Sequence, residues 1–350
     1  MTAARSRLTA LRLAAQRIAA PSAQSPVEAV RHSLAMQAQD FPGAKWSVGL
    51  RTPGSVDADV ETALADRTIV RSWPMRGTLH LVAAEDLGWM LGITTPRLIR
   101  GAALRRKQLG LEDADIERAR AVALDRLAGG GILQRRDLLA AFEEGGLSTS
   151  DQRGYHLLWT LAQTGTLVFG PVEGKQHTFA LLDDWVPSPR VLDRDAALGE
   201  FALRYFTSHG PATVRDLAWW ASLTLAEART GLALVRDRLE SLELEGVTYL
   251  LAPGLTPAPD GVHLLPGFDE NLLGYHDRSA PLAAEHGERI VPGRNGVFKP
   301  TIVVNGEVVG TWSRSLSKAG LRVELLAFDS DVPDAAAAVE RLRHFHGTAS

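Results

Sequence analysis

Met36-Gln37-Ala38-Gln39-Asp40, with Phe41-Pro42-Gly43 directly behind it, closes the second helix of an N-terminal helical run. Side chains two apart on an α-helix diverge by roughly 200°, so Gln37 and Gln39 share a face only if the segment is extended. Pro42 and Gly43 end the helix and permit that conformation, which turns both amides outward and Ala38 back into the protein. Upstream, Thr9 reads as an N-cap, and Leu8, Leu11, Ala15 and Ile18 keep helical spacing. Ser25-Pro26-Val27-Glu28 opens the next helix with a cap, a proline at the first position and a capping-box glutamate, and it buries Val27, Val30 and Leu34. A third helix starts at Ser55 and carries Val56, Val60 and Leu64. Ile69 to Trp73 and Thr78 to Val82 then form short strands joined across Pro74 and Gly77. Three helices followed by a β-hairpin is the order of a winged helix.

The same order returns from about Asp115 to Leu182, with Ser148 as a helix cap and a hairpin turning at Glu173-Gly174. It returns again from about Asp195 to Leu251, with Thr224-Leu225-Ala226-Glu227 as a capping box. Gly131 with Arg136-Asp137-Leu138 recurs 79 positions on as Gly210 with Arg215-Asp216-Leu217, a period that fits one winged helix and not a solenoid unit. After Pro253, Pro257, Pro259 and Gly261 the pattern changes to short β runs. Thr301 to Val304 and Glu307 to Val309 flank Asn305-Gly306, a two-residue hairpin turn; Leu321 to Phe328 adds a strand, and a helix runs from Pro333 to Phe345. The predicted fold class is α+β: three tandem winged-helix units at 1–112, 113–190 and 191–256, then a small β-barrel-like domain with a terminal helix at 257–350.

Composition narrows the function. The chain has 350 residues, 45% hydrophobic and 23% charged, as expected for a globular protein of several modules. Nothing approaches the ~18–20 apolar residues of a membrane span, and Met1 to Arg17 lacks the apolar core of a secretory signal, so a cytoplasmic location is expected. With no cysteine, disulfides, thiolate metal sites and cysteine nucleophiles are excluded. His344 and His346 form only a terminal His-x-His, and there is no Gly-rich phosphate loop or Gly-x-Ser-x-Gly, so neither metal nor cofactor is expected. A net charge of −3 gives no global basic field, so any nucleic-acid surface must be local.

Four pieces in order identify a resemblance that covers nearly the whole chain: Gln37-Ala38-Gln39; Trp73-Pro74-Met75-Arg76-Gly77-Thr78-Leu79-His80; Leu265-Pro266-Gly267-Phe268-Asp269 with Gly274-Tyr275-His276-Asp277-Arg278; and Thr301 to Trp312. The sequence resembles the AlkZ/YcaQ-type winged-helix DNA glycosylases. The Gln-x-Gln form is similar to the AlkZ branch, since the YcaQ branch has Asp at the second position, here Gln39. The resemblance implies a C-shaped array of winged helices closed by a β-domain, with DNA in the concavity. It also implies a monofunctional glycosylase, acting as a monomer on double-stranded DNA that contains bulky alkylated or crosslinked purines, in repair or in self-resistance to a genotoxic natural product.

A purine alkylated at a ring nitrogen is cationic and leaves the sugar as a neutral base. Such a leaving group needs little acid help, so the enzyme chiefly places a water and tolerates an oxocarbenium-like sugar. A glutamine carbonyl orients water without being a strong base. Gln37 is the expected water-orienting residue, and Gln39 shares that task or holds the sugar phosphate. Thr78 and His80 alternate on one face of the wing strand as cleft-lining candidates. Arg97, Arg100 and Lys107, with Leu104 between, follow helical spacing suited to phosphate contacts. The exposed Asn305-Gly306 tip is a candidate DNA probe. Arg136 is expected to pair with the following Asp, and Asp269 and Asp277 to anchor turns of the β-domain. The competing reading, favoured by fold alone, is a transcription regulator whose winged helices bind operator DNA and do no chemistry.

Overall fold

A computed structural model describes residues 2–174, 176–317, 320–329 and 334–347. The chain forms two compact units, Met1–Val60 with Leu198–Ser350, and Glu61–Ala197, a partition that cuts across the sequential boundaries at 112, 190 and 256.

In the first unit, helix α1 (Ala3–Ala15) starts earlier than expected, because the Thr2 side chain, not Thr9, accepts the Arg5 amide. Thr9 is buried mid-helix and bonds back to the Arg5 carbonyl at 3.1 Å. Helix α2 (Pro26–Ser33) begins as read, with Ser25 capping the Glu28 amide at 3.3 Å. The Glu28 carboxylate turns further upstream, to the Gln24 amide at 2.8 Å and to Arg17 at 2.8 Å. Strand β1 (Ala35–Gln37) follows, so the segment after α2 is extended. Pro42-Gly43 then opens a helix that sequence reading missed: in α3 (Phe41–Arg51) the Asp40 side chain accepts the Gly43 amide at 3.2 Å. Proline suits a first helical turn because the amide it lacks has no intrahelical partner there. Helix α4 spans Asp57–Ala65.

The second unit pairs the hairpin β2 (Ile69–Met75) and β3 (Thr78–Ala83). It continues through the long helix α5 (Leu87–Gln108), then α6 (Asp113–Leu127), β4 (Leu133–Gln134), α7 (Arg135–Glu144) and α8 (Arg153–Gln163). The hairpin β5 (Leu167–Glu173) and β6 (Gln176–Leu181) and a one-turn α9 (Leu182–Trp185) complete it. Its strands run antiparallel in the order β3-β2-β5-β6-β4. Trp73, Phe142, Leu157, Leu161 and Phe179 fill the core beneath them.

Back in the first unit, α10 (Arg194–His209), α11 (Val214–Trp220) and α12 (Leu225–Val235) lead to the hairpin β7 (Glu240–Leu244) and β8 (Val247–Leu251). The Thr224–Glu227 capping box is present, and α7 and α11 start 79 positions apart, the offset read in the sequence. The rest comprises β9 (Val262–Leu265), the one-turn helices α13 (Glu270–Leu273) and α14 (Gly287–Ile290), β10 (Thr301–Val304), β11 (Glu307–Ser317), β12 (Gly320–Ala327) and α15 (Ala336–Phe345). Pro333, the expected start of the terminal helix, lies outside the described residues. The β-barrel expectation is corrected: β12-β11-β10-β9 is an open antiparallel sheet. Four strands without a closing pair leave β9 and β12 as edges, whereas a barrel needs every edge paired. The sheet instead buries one face under helices. Trp46 of α3 donates to the Leu264 carbonyl at 2.8 Å and packs on Phe345 of α15 at 5.2 Å.

Burial holds three histidines of this unit, His32, His263 and His346, down to about 4. His32 is kept neutral with its Nε2 donating to the Ala15 carbonyl at 2.7 Å. A histidine whose folded pKa lies below its unfolded value of ~6.5 contributes stability above pH 6.5 and loses it as pH falls towards the folded value. Thermal melts should therefore show Tm falling between pH 7 and 5, with His32 alone accounting for about 2 kcal/mol of lost stability by pH 5. The His32→Gln variant should show a shallower slope, and an unchanged slope would show that His32 is not buried neutral.

Candidate active site around Gln37 and Gln39

Strand β1 carries Gln37 to the edge of the interior. Ala38 is fully buried, Gln37 is 9% exposed and Gln39 is open to solvent. The strand stops at Gln37 and Gln39 lies in a bend, so the outward face expected to be shared by the two amides is corrected: Gln37 is buried like Ala38, and only Gln39 is open to solvent.

What fixes the segment is a buried carboxylate. Glu270, 2% exposed at the start of α13, accepts the Gln37 backbone amide on Oε1 at 3.2 Å and the Trp220 indole N–H on Oε2 at 2.7 Å. The His209 ring lies 3.5 Å from the same Oε2. The neighbouring Asp269 caps α13 through the Asn271 amide and holds both terminal guanidinium nitrogens of Arg51, Nη1 and Nη2, at 3.0 and 3.1 Å. Arg51 also donates to Gln16, Gln16 to the Tyr275 hydroxyl, and Tyr275 to the His209 carbonyl. Burial pushes the Tyr275 phenol up, so it stays a neutral donor. The extended segment is therefore anchored from behind by a continuous hydrogen-bonded chain. Chains of buried hydrogen bonds polarise and so strengthen one another.

Sequence reading did not single out Glu270, Trp220 or Arg51. Glu270 lies between the two C-terminal motif pieces, Leu265 to Asp269 and Gly274 to Arg278, so its place was marked while its role was not. Asp269 was read as a turn anchor; it is one, and it also ties α3 to α13. Asp277 accepts the Ser279 amide in its own turn at 2.9 Å.

The Asn305-Gly306 turn has the expected geometry, with φ of 48° and 84° and Val304 opposite Glu307. Its exposure is corrected at Gly306. Gly306 is buried against Thr9 of α1, where an added Cβ would lie 2.4 Å from the threonine hydroxyl. Asn305 exchanges two hydrogen bonds with Gly261, at 2.8 and 3.0 Å. The glycine of the tip is thus packed on a helix, while Asn305 is exposed.

The remaining candidates belong to the second unit. On β3, His80 is wholly buried and Thr78 half-buried. The His80 Nδ1 bonds the Thr78 carbonyl at 2.8 Å, and Nε2 meets the Arg76 guanidinium at 3.0 Å. A carbonyl only accepts and a guanidinium only donates, so the ring is neutral with its proton on Nδ1. On α5, Arg97, Arg100 and Lys107 are exposed along one face with Leu104, which is 69% exposed. Arg106 turns aside to pair with Asp113 at 2.6 Å. Arg136 pairs with Asp137 at 3.1 Å, as expected.

The DNA glycosylase AlkZ-like family matches residues 30–345, which contain all of these positions except Thr9 and Gln16 of α1. The chain belongs to the AlkZ-like DNA glycosylase family. An interstrand DNA cross-link repair glycosylase from Streptomyces sahachiroi is 26% identical over 314 residues, covering 82% of each chain. The solved structure of the Streptomyces sahachiroi DNA glycosylase AlkZ superposes with a TM-score of 0.82 at 25% identity, covering 100% of this chain and 98% of that one. The glycosylase is thus an enzyme of DNA repair chemistry, and the non-catalytic regulator reading is set aside. Among its described residues no helix is long and apolar enough to cross a membrane.

Proposed function

We propose that this glycosylase hydrolyses the N-glycosidic bond of cationic N-alkylated purines in duplex DNA, N7-linked and bulky or crosslinked, with Gln37 and Gln39 in the chemical step. The observation that carries the reading is the Gln37-Ala38-Gln39 segment at the end of β1, with the Gln37 main chain held by a buried carboxylate and Gln39 open to solvent. In this reading the Gln37 carbonyl orients a water towards the anomeric carbon while the C–N bond breaks. The electron pair of that bond neutralises the purine cation, and the water loses its proton to solvent. Gln39, open to solvent, shares the water or holds the sugar phosphate. Neutral amides suffice because the leaving group departs uncharged; an uncharged base would require a proton donor. The interstrand cross-link repair of the Streptomyces sahachiroi relative supports extending the substrate to crosslinked purines. Incubation with a duplex bearing one N7-alkylguanine, followed by identification of the released base, tests the reading: a free alkylguanine and an abasic site are expected.

We read the three helix–hairpin segments as winged helices, with the exposed face of α5 as a phosphate-contacting surface. Neutralising phosphates releases counterions, so duplex affinity should fall steeply with salt. Replacing Arg97, Arg100 and Lys107 together by glutamine should flatten the slope of log K against log salt by up to about 2–3. An unchanged slope would show that α5 does not face DNA.

A further inference from the structure

We propose that the glycosylase has a second ligand site, distinct from the Gln37–Gln39 segment, that binds a nucleotide-sized compound through its phosphate. The site is a cavity of about 600 Å³ within the first unit, between the start of α1, the start of α11, the β7–β8 hairpin and residues 276–280; neither glutamine lines it. This is the size range of small-molecule sites.

The cavity joins an apolar wall to unused hydrogen-bond donors. Leu8, Val247 and the ring of Tyr249 supply the wall. Arg12 is 3% exposed, lies with its guanidinium 3.6 Å over the Tyr275 ring and donates from Nε to the Pro211 carbonyl at 3.0 Å, yet its Nη1 has no partner. Arg5 donates from Nη2 to the Ser279 and Ala280 carbonyls and leaves Nε unpartnered. Arg215 is exposed on the same lining.

The acids around the cavity are already engaged. Asp216 accepts from the Thr213 amide and hydroxyl on one oxygen and from the His276 amide on the other. Asp277 takes the Ser279 amide, and Glu245 the Thr2 hydroxyl. A buried cation with an open donor is costly unless an anion meets it, and a guanidinium fork matches a phosphate. The aromatic and aliphatic wall suits the base or sugar carried by that phosphate. Three arginines and three acids line the cavity, so it lacks the field to track a long strand and suits one phosphate held by direction. The shared chemistry is a nucleoside monophosphate, whether free or as the 5′-phosphorylated end of a DNA strand.

Isothermal titration of the full chain with deoxyguanosine monophosphate, with deoxyguanosine, and with a short oligonucleotide with or without a 5′-phosphate tests the site. Binding should need the phosphate, weaken about tenfold or more in Arg215→Ala, and persist in Gln37→Ala. Arg12→Lys should also weaken it; should that buried substitution impair folding, the exposed Arg215 still carries the test. Binding of the free monophosphate or of only the 5′-phosphorylated end each supports the site and tells the two sources apart. No binding of either at about 1 mM, binding that survives Arg215→Ala, or binding lost in Gln37→Ala would overturn it. Loss in Gln37→Ala would place the nucleotide in the Gln37–Gln39 site instead.

Discussion

Alanine at Gln37 or at Gln39 is expected to lower single-turnover excision of an N7-alkylguanine by about 10² or more, with duplex affinity within about twofold of the parent. The two glutamines are assigned to the chemical step, and a group that acts on the water of hydrolysis lowers the rate without weakening the ground-state complex. The main-chain anchor on Glu270 accepts a backbone amide, which alanine keeps, so neither variant should disturb the segment's conformation. Circular dichroism and melting temperature serve as controls and should match the parent. Equal losses of affinity and rate would assign the pair to holding DNA. A normal rate in either variant would remove that residue from the chemistry.

The largest stability effect is expected at Asp269. Its carboxylate holds Arg51 Nη1 and Nη2, the Ser47 hydroxyl and the Asn271 amide, with Arg51 1% and Asp269 5% exposed. Removing one partner of a buried pair leaves the other charge uncompensated and costs about 3–5 kcal/mol. Asp269→Ala should therefore lower the melting temperature by roughly 4–7 °C, read by calorimetry. A double variant, Arg51→Met with Asp269→Leu, should recover much of the loss, because exchanging a buried pair for apolar groups of similar volume is often near neutral. If Asp269→Ala melts with the parent, the pair does not hold α3 to α13.

Periodicity and caps placed most elements: Ser25 and Thr224 cap the expected helices, and the Asn305-Gly306 turn joins the expected strands. Errors arose where one residue type serves two purposes. Pro42-Gly43 reads equally as the end of a helix and as the start of one, and only the Asp40 side chain reaching the Gly43 amide decides for the start. Thr9 looks like a cap, but Thr2 takes the role and leaves Thr9 buried under the Gly306 turn. The sheet reads as barrel-like because closure depends on which strands meet, and strand pairing is non-local. The Gln37–Gln39 pair stands out by its spacing, but the shared face read from it does not form, because Pro42-Gly43 opens α3 and β1 stops at Gln37. Glu270 was not legible, because a glutamate 233 positions away has no local pattern that marks it as the acceptor of the Gln37 amide. The Gly306 tip looked free for a related reason: helix α1, which covers it, is remote in sequence.

The central claim is that two neutral amides suffice because the base leaves without charge. Single-turnover excision by the unmodified enzyme should be compared on matched duplexes that differ only at one purine, an N7-alkylguanine cation or an uncharged O6-alkylguanine. Release of the cationic base with no detectable release of the uncharged one is predicted. Comparable release of both, or release of neither, would contradict it.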